Sequence, residues 1–258
     1  MAHRDLKNKP LVEAMLEIRW RLSERSSGPA VDPHYKLLLG RLFDRLQKQY
    51  PEHEPLPTAT IPDELVGHVV QHRFRVGPEE WPLIQLGPGI LTVNETHNYV
   101  WSDFCPRLID AAETLYAAHP KPSDFGVQNL VLRYVDSVEF DYSKDDAFDF
   151  LRDKLKVELG LPASLFDSTP VDRMPQSSSW QTSFRCNMPP GRVHASFATG
   201  RKGDRPAILW ETTVQSAEED VPNMPDEFPS WLEAAHTIAS DWFFKLIEGE
   251  LERGFAGD

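Results

Sequence analysis

The sequence predicts an α+β protein in which two β-α-β-β-β-α halves, residues 1–120 and 121–258, share a largely antiparallel sheet with helices packed on one face. Three observations carry that reading. LVEAMLEIRWRL near the start and LVLRYVDSVEF in the middle both alternate apolar and polar residues with the period of a strand. Each is followed by an amphipathic helix, β-rich runs separated by turn residues, and a second helix. A Pro-containing linker, HPKPSDFG at residues 119–126, stands where the order begins again. The inferred duplication rests on element order, not on a fixed-period repeat.

The first strand is the least obvious element, because Glu13 to Glu17 are all good helix formers. A helical stripe of Leu11, Met15, Ile18 and Leu22 competes with alternation of Val12, Ala14, Leu16, Ile18, Trp20 and Leu22. The period-2 pattern and the matching strand in the second half favour a strand. Residues 31–51 then space Tyr35, Leu38, Leu42 and Leu46 as a helical face, with Asp32 as cap, Pro33 in the first turn and Pro51 at the end. A Pro-rich connection leads to a strand over 65–76. Gly87-Pro88-Gly89 marks a hairpin between two short strands. A second helix over 102–119 buries Phe104, Leu108, Ala111, Ala112 and Leu115.

In the second half, residues 128–142 read as a strand. Asp136 interrupts its apolar face and marks a bulge or a twist in register. Residues 143–160 form a helix with Ser143 as cap and Gly160 at its end. Three strands follow over 177–188, 191–200 and 206–216, and one long helix over 230–255 with Ser230 as cap closes the chain.

A formal charge of −13 repels phosphate backbones, so nucleic acid is a disfavoured partner. No run approaches the roughly 18 apolar residues of a spanning helix, and MAHRDLKNKP has no apolar segment of signal-peptide type. The expectation is a cytoplasmic protein without membrane contact. Cys105 and Cys186 lie too far apart for a CxxC pair or a zinc knuckle.

The motifs KPLVEAMLEIRW, IQLGPGILTVN with YVWSDF shortly after, LVLRYVDSVEF, and the Ala235-His236 pair resemble a sporadically distributed prokaryotic protein family of unknown function. The resemblance covers most of the chain and its motifs are structural. It implies no catalytic residues, although sporadic occurrence suits an accessory or defence-associated gene.

Glu13, Glu17, Arg19 and Arg21 share one side of the first strand, and Arg133 and Glu139 hold the same side of its counterpart. Arg73, Arg75 and Arg185 extend this surface. Arginines gathered there would grip a small anionic ligand bidentately. The competing reading is a solvated face with cross-strand ion pairs. Glu17-Ile18-Arg19 is similar to the strand start of triphosphate tunnel enzymes, but Met15 stands where a second metal-binding carboxylate is needed. His68 and His72, four apart on a strand, are too distant to share a metal ion. No metal or cofactor is expected.

GRKGDR, with Arg201 and Lys202, reads as a basic hairpin tip without phosphate-loop spacing. The last helix carries more bulk than one stripe needs in Trp231, Trp242, Phe243 and Phe244. It is either covered on two sides or offered to a protein partner or a second copy. The leading expectation is therefore a non-enzymatic binding or assembly protein. The alternative is a metal-dependent enzyme or binder for phosphorylated small molecules or nucleotides at the Arg/Glu face.

Overall fold

The structure is a computed structural model that describes residues 6–96 and 98–257. Its strands are β1 (Leu11–Trp20), β2 (Glu52–Pro55), β3 (His72–Arg75), β4 (Leu83–Gly87), β5 (Ile90–Glu95), β6 (Val127–Glu139), β7 (Ser179–Asn187), β8 (Pro190–Lys202) and β9 (Arg205–Ala217). Its helices are α1 (Tyr35–Leu46), α2 (Trp101–Ala118), α3 (Ala147–Leu155), α4 (Phe228–Ile247) and α5 (Glu250–Ala256). The nine strands form one antiparallel sheet in the order β2-β3-β4-β5-β1-β6-β9-β8-β7.

The opening segment is a strand despite its helix-forming residues. Ala14, Leu16, Ile18 and Trp20 are buried on one side, and that burial outweighs a propensity worth a few tenths of a kcal/mol per residue. These side chains pack with Leu38 and Leu42 of α1, Leu108 and Leu115 of α2, and Trp231 and Leu232 of α4 in one core. A second core joins Phe197 of β8 and Trp210 of β9 to Leu151 and Leu155 of α3 and Ile247 of α4. Leu16 faces Leu132 across the β1–β6 pair, and Phe197 faces Trp210 across β8–β9. The helices accordingly lie against one face of the sheet.

Several boundaries differ from expectation. The PEHEP run contains β2, whose residues are all exposed and so show no alternation. The strand expected over 65–76 is confined to β3, because His68 takes a left-handed φ of 56° and breaks the extended run. Asp32 does not cap α1 through its first-turn amides. His34 stands at the N-cap, and Asp32 Oδ1 accepts from the His34 amide at 2.9 Å. Asp146, not Ser143, caps α3 by accepting from the Phe148 amide at 2.7 Å, and the helix stops at Lys156 with φ 58° rather than at Gly160. The C-terminal helix starts at Phe228, placing Ser230 inside its first turn, and breaks before α5 at Gly249, whose φ is 109°. The two runs of elements therefore differ from one another by β2 in the first and α5 in the second.

Candidate functional site

The residues expected to form a polar surface lie on the sheet face opposite the helices, but across its width rather than together. Registers place Glu13, Glu17 and Arg19 of β1, Arg73 and Arg75 of β3, Arg133 and Glu139 of β6 and Arg185 of β7 on that face. Most of the arginines already face carboxylates. Arg73 and Arg75 share Glu54 at 3.3 and 3.5 Å, Arg19 lies 2.7 Å from Glu17, and Arg133 lies 2.9 Å from Glu211. Glu139 is taken by Arg205 at 2.6 Å, and Glu13 accepts from Asn94 at 2.8 Å. Arg185 is exposed and stands opposite Arg192 on β8. Arg21 lies beyond the end of β1, exposed. Arg201 donates to the Asp204 carbonyl within its own hairpin, and Lys202 is exposed beside it. Among the described residues no group of three or more His, Cys, Asp or Glu side chains could hold a metal ion.

The aromatic excess of α4 is used inside the molecule. Trp231 is buried in the core and its indole donates to Ser216 Oγ at 2.8 Å. Trp242 packs against both cores and meets Phe184 of β7 edge-on, and Phe243 and Phe244 pack on the second core. The helix is thus covered on two sides.

A cavity of about 290 Å³ opens where α4 and the start of α2 cross the middle of the sheet. Its walls include Leu11, Trp101, Ala239, Phe243 and Phe244, and its polar lining comprises Lys9, Tyr99, Tyr134, Asp136, Thr212, His236 and Ser240. Local sequence explains how each is placed. Tyr134 and Asp136 occupy positions of the same parity on β6, so both point toward the helices. At their level the pairing with β1 shifts register between Leu11 and Glu13, opposite Asp136 and Val135, so the irregularity lies in β1 and not in the strand whose apolar pattern Asp136 interrupts. His236 comes from the middle of α4 and stacks on Trp101, the first residue of α2, with ring centroids 3.8 Å apart and planes 10° from parallel.

A hydrogen-bond chain runs through this wall. Tyr99 Oη donates to Tyr134 Oη at 3.1 Å, which leaves the Tyr134 proton for Nδ1 of His236 at 3.0 Å. Burial pushes both phenols above their ordinary range. Lys9 donates to the Tyr99 carbonyl at 3.0 Å. Asp136 stands apart from the chain. It is 4% exposed, lines the cavity, and no donor among the described residues hydrogen-bonds its carboxyl. Burial pushes its pKa up to about 8, against the opposing charge of Lys202. Nearby, Cys105 donates weakly to Glu233 at 3.5 Å, and burial and that carboxylate push the thiol up to about 11, away from nucleophilic chemistry.

Of these groups, sequence reasoning noticed Asp136 only as an interruption, and it did not connect Tyr99, Trp101, Tyr134 and His236. For Tyr134 and Asp136 the local signal is polarity where the strand period calls for apolar residues. No protein-family model matches the chain and no curated protein matches it, so its functional reading rests on this cavity and on the ion-paired sheet face.

Proposed function

We propose that the protein is a non-enzymatic binding protein whose ligand is a small molecule held in the cavity between β6, α2 and α4. One observation carries this: a buried carboxyl with no hydrogen-bond partner among the described residues lines a largely apolar cavity. Buried polar groups are normally satisfied, because leaving one unpaired costs about 1–3 kcal/mol. A ligand that completes its hydrogen bonding explains why such a group is tolerated there. Thermal melting with indole and with 2-phenylethanol tests the reading, since ligands of the folded form raise its stability. The expected result is a saturable rise in melting temperature that is lost in Ser240→Phe, which fills the cavity from a half-exposed position. No rise with either compound would sink it.

A second reading, assembly with a protein partner or another copy, has separate support. Among the described residues β7 ends the sheet and one row of its backbone groups has no strand beside it, and Phe184 is 50% exposed and Met188 77% exposed there. Light scattering that finds only monomers across a concentration series, with nothing captured from the host, would remove it. We also read the chain as two duplicated halves. The reading draws on β1 and β6 being antiparallel neighbours, β1 leading outward through β5, β4 and β3 to the extra strand β2 and β6 through β9, β8 and β7. An accessory or defence role stays an implication of the family resemblance.

A further inference from the structure

We propose that the ligand of this cavity carries a protonated amine on an apolar, aromatic-sized body, with Asp136 as its counter-ion and the surrounding rings as its cage. The inference rests on the small-molecule reading above and specifies the chemistry of that ligand.

The cavity offers one acidic group and, in Thr212 and Ser240, two hydroxyls that can accept as well as donate. Asp136 is the acid among its lining groups, and its carboxyl makes no hydrogen bond with a described residue. The hydroxyl protons of Tyr99 and Tyr134 are committed along the chain that ends at His236. Lys9 is turned to the Tyr99 carbonyl. An ammonium can pair with the carboxylate that Asp136 becomes on losing its proton, whereas an anion finds the tyrosine protons and Lys9 engaged. The rings favour the same ligand. Tyr99, Trp101, Tyr134, Phe243 and Phe244 all line the space, with Trp101 flat on His236 and Tyr99 edge to face with Tyr134 at 5.7 Å. A cation is attracted to aromatic faces, most strongly where water is excluded.

Binding then couples to a proton. Near neutral pH the free carboxyl is largely protonated, held so by burial. The titratable groups that line the cavity with it are Lys9 from the segment entering β1, Tyr99 before α2, Tyr134 on β6 and His236 from α4, and the charge of Lys202 at the end of β8 also reaches it. When an ammonium enters, Asp136 gives its proton to solvent and becomes a carboxylate paired with the ligand; the ammonium keeps all of its own protons.

Isothermal titration of the whole protein at pH 7.5 with phenethylamine, 2-phenylethanol and phenylacetate tests this. The amine should bind roughly tenfold or more tightly than the alcohol, as expected of a charge-assisted hydrogen bond over a neutral one, and phenylacetate most weakly. Heats measured in buffers of different ionisation enthalpy should show proton release with the amine and none with the alcohol. Asp136→Asn, nearly isosteric, should lose both the amine preference and the proton release. Equal binding of amine and alcohol, or a preference that survives in Asp136→Asn, would overturn the ammonium inference and leave the cavity as a neutral site. If none of the three compounds binds, the small-molecule reading falls with it.

Discussion

The indole Nε1 of Trp20, at the end of β1, donates to Oδ2 of Asp32 at 2.9 Å in a buried contact. The same carboxylate accepts from the His34 amide at 2.9 Å and the Gly89 amide at 3.3 Å. One side chain therefore ties β1, the entry to α1 and the β4–β5 hairpin together. Asp32→Ala leaves three donors without their acceptor and should destabilise the protein by about 2–4 kcal/mol in urea unfolding, because each buried group left unpaired costs about 1–3 kcal/mol. Asp32→Asn keeps one acceptor and should fall between the two. A loss below about 1 kcal/mol for the alanine variant would show that this junction is held by packing alone.

Asp136 makes stability depend on pH in a direction opposite to that of most carboxylates. An unfolded aspartate titrates near 4, whereas burial pushes this one up to about 8 in the folded chain. Between those values the folded form holds a proton that the unfolded form has released. The stabilising contribution is therefore full below about pH 4 and is lost as pH rises through about 8. Asp136→Asn should melt higher than the parent at pH 9, by on the order of 2 kcal/mol in stability, and close to the parent at pH 5. Melting curves for the pair that stay parallel across this range would show that the carboxyl is hydrated.

Gly191 and Gly203 separate two causes of glycine dependence. Both have positive φ, 141° and 58°, but a Cβ on Gly191 would lie 2.1 Å from the Gln215 carbonyl oxygen, while one on Gly203 meets nothing within 4 Å. Gly191→Ala should cost about 3 kcal/mol or more, since neighbouring backbone must move, and Gly203→Ala about 1 kcal/mol for the left-handed conformation alone. Equal losses in denaturant melts would mean that conformation accounts for both.

The ion pairs of the open sheet face should contribute little. Arg133 Nε lies 2.9 Å from Glu211 Oε2, yet its N–H lacks the alignment of a hydrogen bond, and both side chains are about one-third exposed. Arg133→Met should change stability by less than about 1 kcal/mol, and 0.5 M salt should shrink the difference further. A loss well above that, insensitive to salt, would require a shielded pair.

The elements whose periodicity is strong were legible in the sequence, and the cavity was not. The alternation of Ala14, Leu16, Ile18 and Trp20 identifies β1, and Gly87-Pro88-Gly89 identifies the hairpin, because both patterns act within a few residues. Parity also placed Glu17, Arg19 and Arg133 on one face. Which carboxylate each arginine meets depends on register: Thr213 stands opposite Arg133, and Glu211, two residues along β9 and opposite Val135, reaches Arg133 diagonally. The Tyr134–His236 contact joins residues 102 apart through the angle at which α4 lies on the sheet, and no local pattern encodes that angle. β2 was missed for a simpler reason. Its four exposed residues leave no apolar imprint.

The seam between β1 and β6 has a consequence for how the molecule comes into being. Ala14 lies opposite Tyr134, so the middle of the sheet closes only after more than a hundred intervening residues exist. During synthesis β1 can already align with β5 while its other edge, apolar on one side, waits without a neighbour. Long-range pairing of this kind slows folding, and an unpaired edge invites the wrong strand. The interval before residues 127–139 emerge is when a newborn chain most needs shielding, by a chaperone or by haste.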